Sequence, residues 1–110
     1  MKARIIDLDS IEKLEKLIKS SEESPVLIYK HSATCGISDY VYDDVAMVDS
    51  DINVVVVQTA RSVSDEIAVR TGIRHASPQA IVLKNGKAIY NASHYDITAD
   101  DIAEAMALKD

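Results

Sequence analysis

The sequence has no tryptophan or phenylalanine, and only one cysteine, Cys35, and two prolines occur among its 110 residues. A single cysteine cannot form a disulfide within the chain, which fits a reducing compartment, and we expect the protein in the cytoplasm. No apolar run approaches the roughly 20 residues that a membrane-spanning helix needs. Lysine and arginine form no stripe with interleaved aromatic residues, so the composition disfavours nucleic-acid binding.

What is present is mainly aliphatic. Hydrophobic residues make up 47% of the chain, and the formal net charge is −6. This length and composition fit one compact domain over residues 1–110, with a core of valine, isoleucine, leucine and alanine.

Two continuous apolar runs, Val26–Lys30 and Ile52–Gln58, predict strands that are buried on both faces. Between them, apolar residues at helical spacing over 37–48 predict a helix. A strand, a helix and a strand in succession indicate a right-handed βαβ unit with parallel strands. Later in the chain, Asn85-Gly86 separates two further apolar runs and predicts a type I′ hairpin turn.

Short polar signals predict the ends of the helices. Asp9-Ser10, followed by Glu12, begins a first helix, and either Ser62 or Ser64 caps the helix that Gly72 ends. Thr98 begins a last helix. A weak additional strand is predicted at residues 4–6.

Cys35 lies between the strand Val26–Lys30 and the helix that follows it. A helix N-terminus carries unpaired N–H groups and a partial positive charge, so it stabilises a thiolate and lowers the pKa of the thiol. Ser38 occupies the position where a Cys-x-x-Cys motif has its second thiol. A lone thiolate performs one displacement and then waits in a mixed disulfide, so an external thiol must complete the cycle. Ser38 would only donate a hydrogen bond to the thiolate.

The order of these elements, with Cys35 at the first junction of a strand and a helix, resembles the thioredoxin fold. Two further segments are similar to segments of thioredoxins and make the resemblance more specific. They are Gly72-Ile73-Arg74-His75-Ala76-Ser77-Pro78, before the first hairpin strand, and Leu83-Lys84-Asn85-Gly86-Lys87 at the hairpin turn. The resemblance implies an α/β, thioredoxin-like fold: a central mixed sheet of four to five strands, flanked by helices on both faces. It also implies a cis Ser77–Pro78 peptide bond beside the reactive sulfur.

Three strings are similar to those of the monothiol bacilliredoxins of the YtxJ type. They read Lys30-His31-Ser32-x-Thr34-Cys35-x-Ile37-Ser38, Ser77-Pro78-Gln79-Ala80 and Ser93-His94-Tyr95. That family usually reads Thr-Cys-Pro-Ile-Ser around the cysteine, so Gly36 departs from its pattern.

This second resemblance implies an enzyme that removes bacillithiol, a low-molecular-weight thiol, from proteins that carry it as a mixed disulfide. Cys35 is then the catalytic nucleophile, bacillithiol is a co-substrate, and no cofactor or metal is tightly bound. The implied partners are bacillithiolated proteins and a separate reductase. The residues expected to support the thiolate or line the substrate groove are Thr34, Gly36, Ile37, Ser38, Ser77, Pro78, Ser93 and His94.

Other interpretations stay open at this point. The string Cys35-Gly36-Ile37-Ser38 differs by one residue from the Cys-Gly-Phe-Ser motif of monothiol glutaredoxins, which predicts a [2Fe–2S] carrier whose cluster is shared between subunits. An interaction module without turnover is a third class. A Cys–His hydrolase or zinc site lacks recognisable spacing. We expect His31 to be solvated, and His94 either to contact the ligand or to lie on the plain surface.

Overall fold

The computed structural model describes residues 4–34 and 36–107. The polar signals and apolar runs of the sequence give nine regular elements and one short turn of 3₁₀ helix in this part of the chain. These are β1 (Ile5–Asp7), α1 (Ile11–Ser20), β2 (Val26–His31), α2 (Gly36–Val45), β3 (Ile52–Val56), α3 (Arg61–Thr71), β4 (Gln79–Lys84), β5 (Lys87–Ser93), the 3₁₀ turn (His94–Asp96) and α4 (Ala99–Met106).

The five strands form one mixed sheet in the order β1-β3-β2-β4-β5. Strand β3 lies between β1 and β2 and is parallel to both, whereas β4 is antiparallel to β2 and to β5. The predicted βαβ unit and the predicted mixed sheet are therefore confirmed, and the weak first strand exists as β1.

Each face of the sheet carries a separate hydrophobic layer. Leu27 and Tyr29 of β2 point into a layer shared with α2 and α4. Ile28, the residue between them, points into the opposite layer, which is shared with α1 and α3. Because successive strand residues face opposite sides, a strand covered on both faces needs apolar residues throughout, which explains the continuous runs in the sequence.

The first and last helices begin where the sequence predicts. The Ser10 side chain accepts a hydrogen bond from the backbone N–H of Lys13 at 3.2 Å. The Thr98 hydroxyl accepts one from the N–H of Asp101, also at 3.2 Å. Both bonds satisfy N–H groups that the helix itself leaves without partners.

The prediction of Ser62 or Ser64 as a helix cap is wrong. Helix α3 already begins at Arg61, and Ala60 precedes it without a side-chain cap. Ser64 lies inside the helix with its side chain buried, and its hydroxyl contacts the ring of His75. A partner outside the helix has replaced the local capping role that the residue type suggested.

Turn geometry follows the predicted signals. Gly72 ends α3 with a left-handed backbone, φ 73°. Asn85 and Gly86 also have positive φ, 54° and 75°, as a type I′ turn requires. The strand ends differ slightly from prediction, because β2 continues to His31 and β3 already stops at Val56. Within the described ranges, no helix has the length and apolar character needed to cross a membrane.

Candidate active site

The cysteine loop connects β2 to α2. Cys35, the predicted nucleophile, lies outside the described residues, so only its neighbours are characterised. Thr34 is exposed in the turn before it, and Gly36 is the exposed first residue of α2. Ile37 is half-buried and packs against the layer shared by α2 and α4. In sequence, Cys35 therefore immediately precedes a helix N-terminus, the position predicted for it.

Ser38 ties the first turn of α2 to strand β2. Its side chain is fully buried, and its Oγ accepts a hydrogen bond from the backbone N–H of Ser32 at 3.2 Å. Its backbone carbonyl accepts a second bond, at 2.9 Å, from the buried hydroxyl of Tyr29. A serine hydroxyl that accepts one bond still has its own proton to donate. Ser38 therefore keeps the capacity for its predicted role as a donor.

Gln58, which follows β3, holds the cysteine loop from the other side. Its Oε1 accepts from the backbone N–H of Ala33 at 3.0 Å. Its Nε2 donates to the hydroxyls of Ser32 at 2.8 Å and Thr34 at 3.3 Å. The sequence placed Gln58 at the end of a strand and assigned it no role, because nothing local indicates that it reaches a loop 24 residues away.

The Ser77–Pro78 peptide bond is cis, as the resemblance implied. Pro78 is buried, and its carbonyl accepts a hydrogen bond from the backbone N–H of His94 at 3.0 Å. Ser93 precedes His94 at the end of β5, opposite Gln79. His94 is exposed and has a left-handed backbone, φ 55°. The fold thus brings the two predicted groove segments, residues 77–78 and 93–94, into direct contact.

Strand pairing brings these segments to the cysteine loop. Lys30 of β2 lies opposite Gln79 of β4, and the two strands are antiparallel. The end of β2, where the cysteine loop starts, therefore lies at the same edge of the sheet as Pro78. Helix α2 also contacts the 3₁₀ turn that begins at His94. All eight predicted groove residues thus belong to loops and element ends at one edge of the sheet.

His31 differs from its expected solvated state, and that prediction is wrong. It is the last residue of β2, its side chain is only 18% exposed, and its ring lies against Tyr29 and Tyr42, with centroids 6.0 and 5.7 Å away. Its Nε2 is 3.6 Å from a carboxylate oxygen of Asp39. The extension of β2 by one residue turns the ring inward, because strand side chains alternate between faces.

Charge is unevenly distributed around this edge. The sequence has no lysine or arginine over residues 31–60 or 88–107, the stretches that contain α2, the 3₁₀ turn and α4. Exposed carboxylates occur throughout these elements. They are Asp39, Asp43, Asp44, Asp96, Asp100, Asp101 and Glu104. The resulting negative potential favours the approach of basic groups to this side of the molecule.

An exposed aromatic pair lies on the same side. Tyr40 of α2 and Tyr95 of the 3₁₀ turn meet edge to face, with ring centroids 5.9 Å apart. They are 71% and 64% exposed, so both rings remain available for contact. A surface hollow beside them is lined in part by Asp43 and Ile97. In the part of the chain that the structure describes, no group of three or more His, Cys, Asp or Glu residues is arranged to hold a metal ion.

Comparison with known proteins identifies the family. A family model described as monothiol bacilliredoxin BrxC matches residues 6–102. The chain belongs to the monothiol bacilliredoxin family. A solved structure described as a candidate oxidoreductase with a thioredoxin fold is 39% identical to this bacilliredoxin, with a TM-score of 0.83 and 92% of each chain covered.

More distant structures share the fold alone. The thioredoxin of Fasciola hepatica is 18% identical to this bacilliredoxin, with a TM-score of 0.72, and 92% of this chain and 95% of that chain are covered. The thioredoxin of Trypanosoma brucei brucei is 12% identical, with a TM-score of 0.74, and the coverage is 96% and 89%. The thioredoxin-like α/β fold predicted from the sequence is thereby confirmed, and membership of the family indicates a monothiol redox function.

Sequence reasoning missed three side chains that organise the site. Tyr29 anchors α2, Gln58 holds the cysteine loop, and Lys30 is completely buried behind the segment that leads to Pro78. The only available signal was for Lys30, a charged residue at the end of an apolar run in a strand predicted to be buried.

Proposed function

We propose that this bacilliredoxin is a thiol–disulfide oxidoreductase that removes bacillithiol from protein mixed disulfides through Cys35. The observation that carries the proposal is the family match, together with a single thiol that immediately precedes α2 in sequence. In the first step the Cys35 thiolate attacks the bacillithiol sulfur of the client disulfide. The S–S bond of the client breaks, a new one joins Cys35 to bacillithiol, and the client leaves as a thiolate.

The cycle closes with an external thiol. The only other candidate at the motif, Ser38, has a hydroxyl where a resolving thiol would be, so it cannot attack the mixed disulfide. A second thiolate, from bacillithiol or a reductase, attacks the bacillithiol sulfur bound to Cys35. Cys35 leaves as a thiolate, and the attacking sulfur forms a new disulfide with bacillithiol, so that one S–S bond replaces another. Bacillithiol is thus a co-substrate, and the proposal requires no tightly bound cofactor.

The groove residues have distinct proposed roles. The N–H groups at the start of α2 and the Ser38 hydroxyl would stabilise the thiolate of Cys35. Ser77, Pro78, Ser93 and His94 would form the opposite wall, against which the client chain lies. The clients and the reductase belong to the reducing cytoplasm in this proposal, because a protein with a single free thiol suits that compartment.

Mass spectrometry of the intact protein tests the reaction. The reduced protein is mixed with a purified protein that carries bacillithiol on one cysteine. We expect Cys35 to gain bacillithiol with loss of two hydrogens, while the client returns to its free thiol. The variant Cys35→Ser is the matched control and should leave the client modified. An unmodified Cys35 in the wild-type protein, after long incubation with a reactive client, would disprove the proposal.

The iron–sulfur carrier suggested by the string Cys35-Gly36-Ile37-Ser38 predicts a different result. A cluster shared between two chains needs one thiolate from each, so anaerobic reconstitution would give a coloured dimer. A colourless monomer that still accepts bacillithiol supports the oxidoreductase. A coloured dimer that accepts none supports the carrier.

A further inference from the structure

Lys30 is a charged residue in the interior of the protein. It lies near the end of β2 and has no exposed surface. Its Nζ donates to the backbone carbonyl of Ser64 at 3.0 Å and lies 3.2 Å from Nδ1 of His75. Among the described residues, no carboxylate lies within ion-pair distance of this ammonium. The buried ammonium group therefore donates to two neutral acceptors, the Ser64 carbonyl and the His75 ring.

The contact dictates the state of His75. An ammonium group has only donors, so Nδ1 of His75 must be the unprotonated, accepting nitrogen. The hydroxyl of Ser64 lies 3.1 Å from the same nitrogen, so the two donors share its single lone pair. His75 as a residue is exposed, but this edge of its ring faces inward, and burial followed by the charge of Lys30 lowers its pKa. Both effects keep the ring neutral and able to accept.

These bonds converge on one wall of the candidate active site. His75 belongs to the segment 72–77 that connects α3 to Pro78. The Nε2 of Gln79 donates to the carbonyl of Arg74 at 3.0 Å, so a second buried side chain holds the neighbouring residue. Lys30 and Gln79 lie opposite each other on the adjacent strands β2 and β4, so the hydrogen bonds to His75 and Arg74 both start from the paired strands of the sheet.

Packing alone does not explain a lysine at this position. A methionine would fill a similar space without the cost of removing an ammonium group from water. What methionine cannot supply is a donor that connects β2 to the Ser64 carbonyl and to the His75 ring. The specific consequence of the lysine is therefore the orientation of the segment that precedes Pro78.

We propose that Lys30 and His75 form a positioning pair, which holds the segment 72–77 so that the wall at Pro78 is correctly placed for the client disulfide. This role rests on the proposed transfer of bacillithiol. Lys30 does not touch the reacting sulfurs in this proposal, and it acts through His75.

Substitutions at His75 provide the sharpest test, because the exposed position tolerates change better than the buried lysine. His75→Asn keeps an accepting oxygen near the place of Nδ1, whereas His75→Leu removes the acceptor. Lys30→Met removes the donor, and Lys87→Met replaces an exposed lysine at the start of β5 as a control. The kcat/KM for transfer from a bacillithiolated protein is measured for each, together with amide hydrogen exchange in the segment 72–77.

Because the lost bond involves a charged donor, we expect His75→Leu and Lys30→Met to lower kcat/KM about tenfold, mainly through KM. His75→Asn should stay within about threefold of wild type, since it retains an acceptor. Lys87→Met should match wild type. Amide hydrogen exchange in the segment 72–77 should accelerate only in His75→Leu and Lys30→Met, the two variants that break the pair.

Two outcomes overturn the positioning role. Either His75→Leu and His75→Asn have equal kcat/KM values, or exchange in the segment is unchanged in His75→Leu. A wild-type protein that transfers no bacillithiol contradicts the proposed function itself, and the role of the pair in it. The exchange measurement then still reports whether Lys30 and His75 hold the segment, so the two failures are distinguishable.

Discussion

Replacing Lys30 with methionine should change how the stability of the protein depends on pH. Burial lowers the pKa of Lys30 from 10.5 to about 8, against the weaker opposing effect of Asp65. In the unfolded chain the ammonium is solvated and keeps its proton up to pH 10.5. Between these two pH values, the unfolded state therefore binds more protons than the native state.

The direction of the effect follows from proton linkage. Stability rises with pH wherever the unfolded state binds more protons, so the wild-type protein gains stability from this group as the pH rises above 8. The gain is complete above pH 10.5 and is lost as the pH falls through 8. The lowered pKa of Lys30 corresponds to about 3 kcal/mol of unfolding free energy in total, of which about 2 kcal/mol develops between roughly pH 7 and pH 9.5.

Urea unfolding at about pH 7 and pH 9.5 measures the effect. Other groups also titrate in this range, so the informative quantity is the difference between the wild-type and Lys30→Met changes. We expect the free energy of unfolding of the wild type to gain about 2 kcal/mol relative to Lys30→Met over this interval. Lys87→Met, at an exposed position, should behave like wild type. If the free energy of unfolding had the same pH dependence in wild type and in Lys30→Met, the lowered pKa of a buried Lys30 would be refuted.

Four further outcomes follow from described contacts. Gly36 has a backbone without positive φ and open space around it, so Gly36→Ala should raise the free energy of unfolding in urea by about 0.5 kcal/mol. Gly72 has φ 73°, so Gly72→Ala should lower it by about 1 kcal/mol. Changes of the same sign in the two variants would contradict the backbone conformations of these glycines. By NMR titration, the pKa of His75 should lie below 6.5 and rise in Lys30→Met, because that change removes a neighbouring cation; an unmoved pKa would argue against the contact. Tyr29→Phe should cost about 1 kcal/mol in thermal or urea unfolding through its lost buried bond, and no loss would mean that the hydroxyl contributes nothing. Finally, bacillithiolated peptides with flanking lysines should react about tenfold faster than glutamate-flanked peptides at low salt, and the difference should shrink as salt is added. Equal rates would show that the exposed carboxylates of α2, the 3₁₀ turn and α4 do not attract basic substrates.

Local patterns predicted the elements well because their causes are local. Ser10 and Thr98 cap their helices through bonds three residues away, and Asn85 with Gly86 accepts the positive φ that a tight hairpin requires. The choice of Ser62 or Ser64 as a cap was wrong because the Ser64 hydroxyl has a partner outside its helix. A residue-type signal cannot reveal such a partner.

Some features of the candidate site were also predictable from the sequence, and others were not. The cis bond at Ser77–Pro78 and the groove residues came from a motif resemblance, and the fold brings the described ones to one edge of the sheet. His31 was expected in solvent, but one additional strand residue turned its ring toward Tyr42. Periodicity defines strand ends only to within a few residues, and a residue beyond the predicted end is not assigned to either face of the sheet.

The sequence by itself determined that the protein has one thiol and no second thiol to resolve a mixed disulfide, because residue identity alone sets that stoichiometry. It also determined two strands buried on both faces and the turn that joins the last two strands. Only the tertiary structure decided that Gln58 holds the cysteine loop and that a buried Lys30 holds His75. Those contacts join residues 25 and 45 positions apart, and they exist only because the strands pair in one register.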